Sequence, residues 1–249
     1  MAKLFQTAKD NLSFLGVCLL IFAGIFVLAR LTERYLFKNS IKKVSSGKKA
    51  AFIGVFSAVG GVLMLLEIPL FFAPAFYKID LSEIPVLMCA FYLGPVAGVV
   101  TELLKIVVKL ALKGTTTAFV GDLANFIIGC SLILPATIIY HFRKSKKTAL
   151  TGMATGTLIM TVFGSFLNAV YLLPTFSTMY GLPLEAIVAM GSALNSAIDS
   201  VSTLVLFAVV PFNILKGVLV STLTFLLYKR MENMFFPKEQ ARQPGLQNK

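Results

Sequence analysis

Apolar runs follow one another along this chain with little between them, at about 12–31, 50–67, 82–94, 95–112, 119–141, 150–173 and 200–228. A helix needs about 20 predominantly apolar residues to cross the hydrocarbon core of a bilayer, so the pattern predicts an all-α membrane protein with seven spans. Composition agrees. The 249 residues are 57% hydrophobic and 14% charged, against about a quarter charged in an ordinary soluble domain, and mean hydropathy is +0.84. Seven spans leave no length for a sizeable aqueous catalytic domain. The first run has no small-residue cleavage site and a charged stretch follows it directly, so it is read as a retained helix rather than a removed signal peptide. A further apolar stretch, Leu184 to Leu194, is too short to cross and is predicted to be interfacial or re-entrant.

The net charge of +12, from 23 Lys and Arg against 11 Asp and Glu, would suggest nucleic acid if it lay on one soluble face. It lies elsewhere. Sixteen of the 23 basic residues fall in three short segments, 30–49, 143–147 and 229–249. Four spans separate the first two segments and two more separate the third, so parity puts all three on one side. Positive-inside patterning makes that side the cytoplasm, with the extreme N-terminus outside. The outward loops are then 67–81, 112–119 and 174–200. This divides the chain into an N-terminal helix and basic linker over 1–49, a six-helix membrane core over 50–230 and a cytoplasmic tail over 231–249.

Several chemistries are excluded. Gly47-Lys48-Lys49 lacks both the upstream glycine and the hydroxyl of a phosphate-binding loop. The single histidine, His141, stands beside Arg143 at a helix end, and neither HExxH nor GxSxG occurs, so no enzyme is predicted. Cys18, Cys89 and Cys130 lie in apolar runs without CxxC spacing or neighbouring histidines, which argues against disulfides and metal and for small core residues.

The candidate chemistry sits in the outward halves of the later helices. In the last span Asn213 and Lys216 are three residues apart, hence on one helix face. Lys216 is some 13 residues, roughly 20 Å, before the basic end at Lys229, beyond reach for snorkelling. It must therefore serve a ligand in a polar cavity or pair with a carboxylate such as Asp199 or Glu102. Asn125 and Asn168 are further amides in apolar runs, and an amide offers both donors and an acceptor to a ring of alternating carbonyls and N–H groups. Each could instead bond a neighbouring helix. The loop from Glu67 to Asp80 combines Pro69 and Pro74 with Phe71, Phe72, Phe76 and Tyr77. It suits either a stiff lid over a flat ligand or an interfacial aromatic belt. Glu102 and Lys105 are spaced to pair with each other, while Lys109 and Lys113 approach the outward end and could snorkel there. On the second span Ala50, Gly54 and Ala58 form a small-residue row, either a docking face for another helix or an internal packing seam.

Five stretches carry a resemblance: Lys78 to Pro85 (KIDLSEIP), Phe91 to Pro95 (FYLGP), Glu102 to Lys105 (ELLK), Gly121 to Phe126 (GDLANF) and Pro211 to Lys216 (PFNILK). Together they resemble the riboflavin-binding substrate (S) components of the energy-coupling factor (ECF) vitamin transporters. The resemblance implies a six-transmembrane-helix S-component core binding riboflavin, as transported ligand rather than cofactor, in an outward pocket. It implies that Asn213 and Lys216, with Asn168 as a third residue, contact the ring, and that the loop from Phe71 to Asp80, carrying Phe76 and Tyr77, is the lid; Asn125 stays a ligand-binding candidate on its residue type alone. It further implies that the Ala50, Gly54 and Ala58 row docks on a transmembrane coupling subunit, with two ATPase subunits supplying energy. The additional N-terminal transmembrane helix departs from that core. Alternatives that the residues leave open are a self-sufficient secondary transporter or facilitator of a vitamin-like solute, an FMN-preferring flavin binder, and a membrane scaffold with no ligand.

Overall fold

The computed structural model describes residues 12–37, 44–115, 117 and 119–235; residues 38–43 of the basic linker and the tail beyond 235 lie outside the described residues. The helices are α1 (Leu12–Leu36), α2 (Ser46–Leu63), α3 (Glu83–Leu93), α4 (Pro95–Lys113), α5 (Val120–Arg143), α6 (Lys146–Leu167), α7 (Leu173–Tyr180), α8 (Leu184–Ser192), α9 (Val201–Leu204) and α10 (Val210–Phe235). Helix ends follow local chemistry. Gly94 takes a φ of 103° between α3 and α4, where a side chain would be strained, and Pro95 opens α4 at a position whose N–H has no helical partner. Ser145 caps α6 by exchanging hydrogen bonds with Thr148, which satisfies donors of the first turn.

Two of the long apolar helices are continuous through a proline. α6 passes into α7 through a π-turn, Asn168–Leu172, directly before Leu173 and Pro174, and α9 passes into α10 through a second, Val205–Val209, directly before Val210 and Pro211. A proline offers no N–H to the preceding turn and its ring crowds that turn, so the helix widens by one residue there instead of breaking. The first of these helices therefore runs 35 residues, Lys146–Tyr180, well past the expected end at 173. The short stretch after it forms α8, as its length requires.

Close packing is made where glycine removes a side chain. A Cβ at Gly152 would stand 2.5 Å from the Ala136 carbonyl, so α5 and α6 approach backbone to backbone. Gly61 does the same for α2 against Val108 of α4. α3 lies in the centre, buried over nearly its whole length. The run 82–94 was expected to cross the bilayer, but α3 has 11 residues, about 16 Å at 1.5 Å per residue. It is short because the preceding loop descends into the bundle. Glu83 meets Lys105 of α4, eight residues and so about 12 Å below the end of that helix.

The loop between α2 and α3 holds a two-stranded antiparallel ribbon, β1 (Ile68–Pro69) with β2 (Lys78–Ile79), pairing Ile68 with Ile79. α1 packs along α4 and α5, placing Phe22, Ile25 and Phe26 against Val99, Phe126 and Cys130. The Glu33 carboxylate accepts the Val96 N–H at 2.8 Å and so caps α4.

Candidate ligand-binding site

A cavity of about 580 Å³ opens at the end of the bundle between the 67–80 loop, α4, α5 and the turn joining them, the first π-turn, α7, α8 and α10. Its volume is in the range of small-molecule sites. Asn213, Lys216, Asn168, Asn125, Phe76, Tyr77 and Asp80 all border it, although they come from four separate parts of the chain.

Its floor is ionic. Lys216 of α10 reaches Asp80 at 3.0 Å and Glu83 at 3.3 Å, and Lys105 of α4 reaches Glu83 at 3.3 Å and Glu102 at 2.7 Å. All five side chains are buried. The pairing of Glu102 with Lys105 is the one their spacing suggests. Lys216, by contrast, pairs with neither Asp199 nor Glu102. Asp199 is spent at the start of α9, accepting from Thr203 at 2.9 Å, and Glu102 is held by Lys105. The partner is Asp80, brought down by the loop and fixed there by hydrogen bonds from the Ser82 hydroxyl and N–H.

The amides are disposed unequally. Asn168, in the first π-turn, accepts from the Tyr77 hydroxyl at 2.9 Å and donates to the Gly164 carbonyl at 2.8 Å. It therefore ties the loop to α6. Asn213, one turn past the second π-turn, is 2% exposed, and its Nδ2 finds no hydrogen-bond partner among the described residues. Asn125 is half-buried on the cavity wall.

One wall is a run of rings. Phe212 lies 5.4 Å from Tyr77, Tyr77 4.5 Å from Phe76, Phe76 6.4 Å from Phe176, and Phe176 6.0 Å from Tyr180, measured between centroids. Phe176 and Tyr180 of α7, with Ile187 and Met190 of α8, belong to the cavity and were not among the residues picked from the sequence. The signal was present in the apolar stretch at 184–194, but nothing local says which way a short helix folds back.

The rim carries Glu67, paired with Lys113 at 2.8 Å and Lys78 at 3.3 Å. Burial pulls the Glu67 carboxyl up, but hydrogen bonds from Lys113 and Lys78 outweigh it and hold the group below its ordinary value of 4.5. Neither lysine snorkels free. Lys109 is likewise bound, to Asp122 at 2.6 Å. Outside the cavity lining, Ala50, Gly54 and Ala58 are exposed on α2, and a Cβ at Gly54 would meet nothing within 4 Å. That row is an open helix face rather than an internal seam, and α1 leaves it uncovered.

Fold and site together define a polytopic helical membrane protein with a small-molecule cavity at one end. The chain belongs to the ECF transporter substrate-specific component family, whose model matches residues 48–228. The riboflavin transporter RibU of Staphylococcus aureus is 32% identical over 190 residues, 76% of this chain and 93% of that protein. The riboflavin transporter FmnP of Bacillus subtilis is 30% identical over 186 residues, 74% of this chain and 92% of its own. A solved chain described as the S component of a bacterial ECF transporter superposes with a TM-score of 0.60 at 33% identity, covering 76% of this chain and 98% of that one.

Proposed function

We propose that this chain captures riboflavin from outside the cell as the substrate-binding subunit of an ECF transporter, and that it catalyses no reaction itself. The observation that carries this reading is the buried, unpartnered amide of Asn213 beside a ring-lined cavity of about 580 Å³. A buried donor without a partner is costly to leave, and a ring carbonyl of a flavin would satisfy it while the aromatic wall takes the flat face. The names of the S. aureus and B. subtilis relatives support the same ligand. In this reading Phe76, Tyr77 and Asp80 belong to a lid, Asn125 offers a further amide, and Lys216 orients both lid and ring.

The basic segments at 143–147 and around 229 support a cytoplasmic end opposite the cavity, which sets the mouth toward the outside and the N-terminus on that same side. Energy is supplied by two partner ATPase subunits through a transmembrane coupling subunit, and the exposed Ala50, Gly54 and Ala58 row is the surface proposed to dock on it. Titration of the purified protein with riboflavin, followed by quenching of flavin fluorescence, tests the ligand. Saturable binding is expected, and Asn213→Ala should weaken it about tenfold through loss of one buried hydrogen bond. A wild-type protein that leaves flavin fluorescence unchanged would sink the reading.

A further inference from the structure

The cavity contains a second unmatched polar atom, of opposite sense to the Asn213 amide and on the opposite helix pair. Asp122, in the first turn of α5, is 4% exposed. Its Oδ1 accepts from Lys109 Nζ at 2.6 Å, but its Oδ2 finds no hydrogen-bond partner among the described residues, and the side chain borders the cavity. Paired with a buried ammonium, the carboxyl is an acceptor on every remaining lone pair. Its Oδ2 is an acceptor for an O–H or N–H brought to this wall by a ligand, in place of water. Asn125 lies three residues on, hence on the same face of α5, and Thr117 and Lys109 complete a polar strip where α4 turns into α5.

We propose that Asp122 selects for a neutral, hydroxylated tail on the ligand, its Oδ2 accepting a hydrogen bond from a tail hydroxyl while the planar ring is read at Asn213. The proposal rests on the flavin reading above and extends it to the tail. A flavin divides its polar groups in the same way: carbonyls on the ring for the Asn213 donor, hydroxyls on the ribityl chain for the Asp122 acceptor. A terminal phosphate brings acceptors and negative charge instead of a donor. At Asp122 itself a phosphate would leave Oδ2 without a donor and set like charge against the carboxylate, because Lys109 is already committed to it.

The test compares riboflavin, lumiflavin (the same ring without the hydroxylated tail) and FMN on the purified full-length protein. The wild type should bind riboflavin about tenfold or more tightly than either of the others. Asp122→Leu, close in size but offering the tail no polar atom, should remove most of the advantage over lumiflavin and leave lumiflavin affinity within about twofold, since the tail alone is affected. Should Asp122→Leu fail to fold because Lys109 loses its counter-charge, the paired Lys109→Met, Asp122→Leu variant removes both charges together and carries the same expectation. Wild-type protein that binds lumiflavin as tightly as riboflavin overturns the role of Asp122 while leaving the flavin reading intact, as does equal loss of both ligands in the variant. Wild-type protein that binds none of the three overturns the flavin reading itself, and this proposal with it.

Discussion

Lys216 both borders the cavity and holds a buried ion cluster together. Its ammonium lies among the carboxylates of Asp80 and Glu83, nearly buried at the floor of the cavity. Lys216→Ala would take the ammonium from Asp80 and leave Glu83 with Lys105 alone, and breaking a buried pair from one side costs about 3–5 kcal/mol. We therefore expect the variant to unfold at a clearly lower temperature in detergent with or without flavin; an unchanged melting temperature would show that the cluster does not depend on it. Loss of flavin binding in Lys216→Ala is for that reason a poor measure of ligand contact, and Asn213→Ala is the cleaner probe. Part of this was legible from residues alone, since a lysine so far from a basic helix end has to be neutralised. The identity of the partner was not, because Asp80 lies 136 residues away and no local rule connects the two.

At the scale of elements, the two prolines following π-turns decide how the site is assembled. Each turn adds a residue to the helix just where Asn168 begins one segment and Asn213 follows the other. The prolines are plain in the sequence, but a proline in an apolar run can break, kink or widen a helix, and only packing against neighbours selects among these. The loop is the other decisive element. It is held at Tyr77 to Asn168, at Asp80 to Lys216 and at the rim through Glu67. The Glu67 carboxyl ionises below its ordinary value in the folded chain. Its contribution to loop closure is thus complete above about pH 4.5 and is lost as pH falls through the lower folded value. Flavin release should accelerate on acidification in that window, and Glu67→Gln should release at the faster rate throughout; identical pH profiles for the two proteins would exclude the rim pair as a catch. Gly61 tests the α2–α4 seam, since an added Cβ would stand 2.5 Å from Val108. Gly61→Leu should destabilise the fold by at least 1–3 kcal/mol, read as a lower melting temperature.

Across the whole molecule, the helix that precedes the family core packs on α4 and α5 and leaves the small-residue face of α2 open. Gly54 has nothing within 4 Å to receive a side chain, so Gly54→Leu should fold and bind flavin as the wild type does yet fail to co-purify with the coupling subunit. Normal recovery of that complex would remove α2 as the docking surface. The lengths of the apolar runs and the placement of basic residues determine by themselves that this chain lives in a bilayer and roughly where each helix starts and stops. A backbone in hydrocarbon has to satisfy its own hydrogen bonds locally, and local patterns are what a sequence displays. Which carboxylate meets which ammonium, which amide bonds the loop and which is left without a partner are settled only by tertiary structure. Those choices join residues far apart in the chain, across interfaces whose geometry depends on every helix being in place.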